Sequence, residues 1–136
     1  MKIVVDSNRI IASLLKDGVA REILYDRSYE CIAPEFVREE IMKYKQALIN
    51  EGKITAKEFD TVLSLLFERI TLIHQEEYAA HLKKLANEIS DPKDIPYLVC
   101  CLATKAEGIW SHDPHFLEQD KVRIFTNKDL LDMSRM

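Results

Sequence analysis

The chain has 136 residues, of which 47% are hydrophobic and 31% charged, enough to bury a core and the length expected of one domain over residues 1–136. Lys plus Arg total 19 against 23 for Asp plus Glu, a formal charge of −4. That excludes a uniformly basic nucleic-acid coat and leaves room only for a local basic patch. Gly18, Gly52 and Gly108 lie too far apart for a glycine-rich phosphate loop, and Cys31, Cys100 and Cys101 form no C-x-x-C pair for zinc.

Residues 2–5 form an apolar run that reads as a buried strand of a parallel sheet. Asp6 follows it too early for a signal peptide, and the longest apolar run, 98–103, is far too short to span a membrane. A soluble, cytoplasmic chain with no membrane partner is expected. Short helices are predicted over 10–15 and 20–25, separated by Gly18, then a strand over 29–33. Pro34 suits the first turn of a helix running to about residue 50, with Gly52 as its stop. Thr55 and Glu58 form a capping box that opens a helix to about residue 67. A strand follows over 69–73, then an amphipathic helix over 75–89 with Tyr78, Leu82, Leu85 and Ile89 on one stripe. A proline-rich turn, 91–96, leads into a helix over 94–107 that Gly108 ends. Strands over 109–111 and 121–125 and a helix from Asn127 complete the chain. Alternating strands and helices predict an α/β fold on a mainly parallel sheet.

Ligands of such sheets bind beyond the carboxyl ends of the strands. Asp6 ends the first strand and Asp113 follows the fourth. Alone, each also reads as a helix cap or turn residue. At about 100° per residue, Phe36, Glu40, Tyr44 and Leu48 share one helix row, so Glu40 falls on an apolar stripe while Glu39 faces the other way, within reach of Lys43. A carboxylate on an apolar face needs a partner, a raised pKa or a metal. Asp94 shares a row with Leu98, Leu102 and Ala106, read as the buried row of its helix, while Asp91 is read as the capping residue of the turn. Two such charges ~5 Å apart at an effective dielectric of ~20 repel by roughly 3 kcal/mol. A divalent cation relieves that repulsion, and carboxylates with water suit Mg2+ or Mn2+.

In this order, Val5-Asp6-Ser7-Asn8, Ala33-Pro34-Glu35-Phe36-Val37-Arg38-Glu39-Glu40-Ile41, Asp91-Pro92-Lys93-Asp94-Ile95-Pro96-Tyr97-Leu98 and Trp110-Ser111-His112-Asp113 resemble the PIN-domain nucleases over essentially the whole chain. The resemblance implies a three-layer α/β/α fold with a five-stranded, mainly parallel sheet. It implies an acidic pocket for one or two Mg2+ or Mn2+ ions and hydrolysis of single-stranded RNA, leaving a 5′-phosphate. Carried onto this sequence, the metal-holding and catalytic acids are Asp6, Glu40, Asp94 and Asp113, with Glu39 open as the alternative to Glu40. Asn8 and Ser111 match supporting polar positions. Many small members are VapC-type toxins neutralised by an antitoxin protein, and the length fits that role.

RNA approach would need a basic rim, for which Arg9, Lys16, Lys43, Lys45, His112 and His115 are read as candidates, each of them also ordinary surface by default. The helices over 55–67 and 75–89 offer apolar residues for a homodimer. A PIN-like binding module with vestigial cleavage would share every one of these features. A receiver-type phosphotransfer domain is rejected, because His74-Gln75 stands after the third strand where that chemistry needs an aspartate.

Overall fold

Ile3, Val4 and Val5 are fully buried, so β1 (Lys2–Val5) has no solvent face, as expected of a central parallel strand. It pairs in parallel with β2 (Glu30–Pro34) on one side and with β4 (Gly108–Trp110) on the other. Beyond them lie β3 (Ile70–Ile73) and β5 (Arg123–Phe125), also parallel, giving the order β3-β2-β1-β4-β5. The structure, a computed structural model, describes residues 1–135. Its helices are α1 (Ser7–Leu15), α2 (Val19–Leu24), α3 (Phe36–Lys43), α4 (Lys45–Gly52), α5 (Ala56–Glu68), α6 (Ile95–Thr104) and α7 (Asn127–Ser134). They cover the sheet to give the expected three-layer α/β/α arrangement, with Trp110, Tyr97, Phe59, Phe116 and Phe125 among the largest wholly buried side chains. No described helix is long and apolar enough to cross a membrane.

Strand positions agree with the apolar runs to within two residues, and the Thr55–Glu58 capping box forms as expected. Four expectations fail. The helix over 34–50 is two helices, because Tyr44 leaves helical geometry (φ −100, ψ 11). The turn lets Leu48 reach the core while Tyr44, predicted on the same stripe, stays 49% exposed.

The 75–89 segment is no α-helix. It forms 3₁₀ turns at Gln75–Glu77 and Ala79–His81 and then irregular turns. Tyr78, Leu85 and Ile89 are buried as the stripe predicted, but amides such as those of His81, Leu82 and Glu88 bond three residues back. A stripe at i, i+3 and i+4 records which side is buried and does not distinguish these ladders.

Glycine does not supply the left-handed residues that end the helices. Lys53 (φ 52) closes α4 and Lys105 (φ 58) closes α6. Gly108 is instead a packing glycine inside β4, where a Cβ would sit 2.6 Å from the Phe125 ring and against the Arg123 carbonyl. The Leu98 row is also less buried than expected, since Leu102 is 38% exposed.

Candidate functional site

The strand order changes direction between β1 and β4, and a crevice forms at the carboxyl ends of strands at such a point. Asp6 and Ser111 leave these two strands side by side. The Asp6 amide continues the ladder to the Trp110 carbonyl at 3.1 Å, and the Ser111 amide to that of Phe125 at 3.2 Å. Both side chains are buried. The Ser111 hydroxyl donates to Asp6 Oδ2 at 2.7 Å and accepts from the Asp113 amide at 3.0 Å and from Asn8 Nδ2 at 3.4 Å. One hydroxyl thus fixes Asp6, Asn8 and the start of the Asp113 turn.

Asp6 stands at the N-terminus of α1 but makes no side-chain cap bond. Asp113 does cap: its Oδ1 accepts from the His115 amide at 2.9 Å, opening a 3₁₀ turn at Pro114–Glu118. Asp94 reaches the same sheet edge because α6 runs back against the strands and begins there. It is 7% exposed and caps nothing. Its Oδ2 is buried without a hydrogen-bond partner. His115 Nδ1 lies 3.3 Å from that oxygen and 3.4 Å from Asp113 Oδ1, an ion pair with both when the ring is protonated. Asp91 Oδ1 accepts from the Lys93 amide at 3.0 Å, the turn role expected of it. Asp91, Asp94 and His115 also bring one ligand atom each within 4.8 Å of one another.

Burial pushes the Asp6 carboxyl up to about 6; the Ser111 hydrogen bond opposes that, and the charges of Asp94 and Asp113 add to it. Asp94 is likewise pushed up to about 6 by burial, then by Asp113 and Asp91. Glu40 is half-buried, and its pKa is raised by burial against the pull of Lys93 and Lys43. Its Oε2 has no partner, whereas Glu39 is exposed. Glu40 lines a cavity of about 200 Å³ with Phe36, Glu39, Lys43, Tyr44 and Lys93. The Tyr97 hydroxyl is buried and unpartnered near the charges of Asp6 and Glu40. Glu40 Oε2, Asp94 Oδ2 and Tyr97 OH are the only orphaned buried side-chain atoms among the described residues. All three belong to this one edge of the sheet.

Asp6, Asp94 and Asp113 therefore lie within electrostatic reach of one another, and Tyr97 lies near the charges of both Asp6 and Glu40. Sequence reasoning did not place Tyr97, and it gave Asp91 and His115 other roles. The Asp91/Asp94 spacing and the His115 position after Asp113-Pro114 were visible, but only the approach of two distant turns unites them.

The basic rim is thinner than expected. Lys16 lies at the far end of α1, a helix of nine residues, about 15 Å from Asp6 at 1.5 Å per residue. Lys45 pairs with Asp60 at 2.8 Å. His112 Nε2 accepts from the Asn127 amide at 3.1 Å, tying down the start of α7, and burial lowers the pKa of the ring. Arg9 remains near Asp6, donating to Asn8 Oδ1 and Asn127 Oδ1. Lys43 and Lys93 remain near Glu40. Each of the acids Asp6, Glu40 and Asp94 thus has a cationic or ionisable basic neighbour, Arg9, Lys43 with Lys93, and His115 respectively.

The PIN-domain family model matches residues 4–126. A search of curated protein sequences returns no match.

Proposed function

The chain belongs to the PIN-domain family, whose members are generally nucleases, and from that premise we propose that it is a Mg2+- or Mn2+-dependent endoribonuclease acting on single-stranded RNA. The observation that carries this reading is the coincidence of the orphaned buried oxygens of Asp94 and Glu40 with the switch point of the sheet. A buried acceptor without a donor costs about 1–3 kcal/mol. Such oxygens suit a divalent cation, and the donor set is rich in the carboxylates that Mg2+ and Mn2+ favour.

In this reading Asp6, Asp94 and Asp113 would hold the cation, and Glu40 would complete the shell or orient the attacking water. A bound divalent cation supplies a water of lowered pKa and offsets negative charge on the phosphate. Ser111 keeps Asp6 in one rotamer by its 2.7 Å hydrogen bond, and Asn8 supports Ser111. The raised pKa of Glu40 suits it to accept a proton from the attacking water. The water oxygen bonds to phosphorus, the bond to the 3′ oxygen breaks, that oxygen takes a proton from solvent, and the products carry a 3′-hydroxyl and a 5′-phosphate. Arg9 and Lys43 are placed to meet the flanking phosphates, with His112 at the rim. Toxin action neutralised by an antitoxin in the cytoplasm is the narrower form of this proposal.

The test is cleavage of a mixed single-stranded RNA pool with Mn2+, with chelator, and by an Asp6→Asn variant purified alongside. Wild type should cut with Mn2+ only, and Asp6→Asn should be slower by about a hundredfold or more. Equal cutting by the variant, or cutting that survives the chelator, would assign the activity to something else. No cutting by wild type would favour the RNA- or protein-binding module.

A further inference from the structure

His115 stands among carboxylates, its imidazole at ion-pair distance from Asp94 and Asp113. Its backbone amide is fixed on Asp113 Oδ1 at 2.9 Å, and Pro114 constrains the turn before it. These two constraints bring Nδ1 to 3.3 Å from Asp94 Oδ2 and 3.4 Å from Asp113 Oδ1. Asp94 Oδ2 is itself buried in a residue only 7% exposed and has no geometric hydrogen-bond partner, its close charged neighbour being His115. A nitrogen and an oxygen at this separation without a hydrogen bond are spaced as neighbouring ligands of one ion. With metal–ligand bonds of about 2.1 Å, cis ligands of one ion lie about 3 Å apart. Asp91 offers a third ligand atom, all three within 4.8 Å, the one grouping of this kind among the described residues.

We propose that His115 is a metal ligand, and that Asp91, Asp94 and His115 form an O,O,N seat that takes Mn2+ or another imidazole-accepting transition ion in preference to Mg2+. This rests on the metal-dependent reading above, shares Asp94 with it, adds Asp91 and His115 to the groups that face the ion, and narrows the choice of ion. Mg2+ requires a near-ideal octahedron of oxygens and keeps most of its waters. An imidazole nitrogen is an ordinary ligand for transition ions and a poor one for Mg2+. Asp91 keeps its turn while serving, since one carboxylate oxygen accepts from the Lys93 amide and the other is left over.

The experiment is pulsed electron-spin-echo spectroscopy of Mn2+ bound to the full chain, which detects a directly bound imidazole by nitrogen-14 modulation. Wild type should show the modulation. His115→Gln should lose it while still binding Mn2+ through the carboxylates, at least about tenfold more weakly, with an unchanged circular-dichroism spectrum. Asp91→Asn, which keeps an acceptor for the turn, should retain the modulation with weakened affinity. Competition with Mg2+ gives a second readout: the preference for Mn2+ should narrow by about tenfold in His115→Gln. Mn2+ bound without nitrogen modulation, or modulation that persists in His115→Gln, overturns the inference and leaves the nuclease reading standing. Failure of the wild type to bind Mn2+ overturns both.

Discussion

Asp6 and Asp94 are buried acids whose pKa values of about 6 lie well above that of an aspartate in an unfolded chain. Between about pH 4 and pH 6 the folded state therefore holds protons that the unfolded state has released. The resulting stability is fully present below about pH 4 and is lost as pH rises through 6. For Asp6, which is 3% exposed, the loss by pH 7.5 is about 3 kcal/mol in the metal-free protein. His115 and His74, raised by facing carboxylates, act in the same sense at higher pH, their contribution being present below about pH 6.5 and lost as pH rises beyond it. Asp26, Asp129 and Glu35, with lowered pKa values, act in the opposite sense, below about pH 4. Thermal melts with chelator should thus show a higher Tm at pH 5 than at pH 7.5. Asp94→Asn should raise the Tm at pH 7.5 and flatten the dependence. A lower Tm for Asp94→Asn would make Asp94 a structural support of α6.

At this scale much of the arrangement was legible in the chain. The helical phase that sets Glu40 apart from Glu39 is reproduced by a half-buried Glu40 and an exposed Glu39. Tyr97 was not legible, because a tyrosine in an apolar helix looks like core until its hydroxyl is seen to lack a partner. Nor was His115, whose neighbours Asp91 and Asp94 come from another turn.

Among the elements, the strands could be read because a strand buried on both faces is a continuous apolar run, as in β1 and β4. The helices misread are those where tertiary packing overrides a local pattern. The break at Tyr44 is not marked by proline or glycine, and it serves the burial of Leu48. The 75–89 segment has the correct stripe and the wrong ladder, held by three well-buried anchors, Tyr78, Leu85 and Ile89, between exposed charged residues. Bonds of the 3₁₀ type have poorer geometry than α-helical ones, and segments with few buried contacts open at low free energy. Amides over 75–89 should therefore exchange with deuterium at least about a hundredfold faster than those of α6, a gap of roughly 3 kcal/mol in opening free energy. Equal protection in the two segments would mean that 75–89 is a regular helix in solution.

For the molecule as a whole, the charge of −4 and the acid-lined crevice make RNA binding depend on a few cations. Lys16 is at the wrong end of α1, Lys45 is paired with Asp60, and His112 is a hydrogen-bond acceptor. Arg9, Lys43 and Lys93 remain within electrostatic reach of the acids. Each phosphate neutralised on a single strand contributes about −0.7 to the slope of log K against log salt. Three contacts give a slope of about −2, much shallower than for a protein with a basic coat. Binding of a short single-stranded RNA to the cleavage-impaired Asp6→Asn variant, titrated over a range of KCl concentrations, reads this directly. Lys43→Ala with Lys93→Ala should bring the slope to about −0.7, because only Arg9 then remains. A wild-type-like slope in that double variant would move the RNA path away from the Glu40 cavity. A slope steeper than about −4 would require a basic surface formed by more than these side chains, such as a second copy of the chain contributing its own cations.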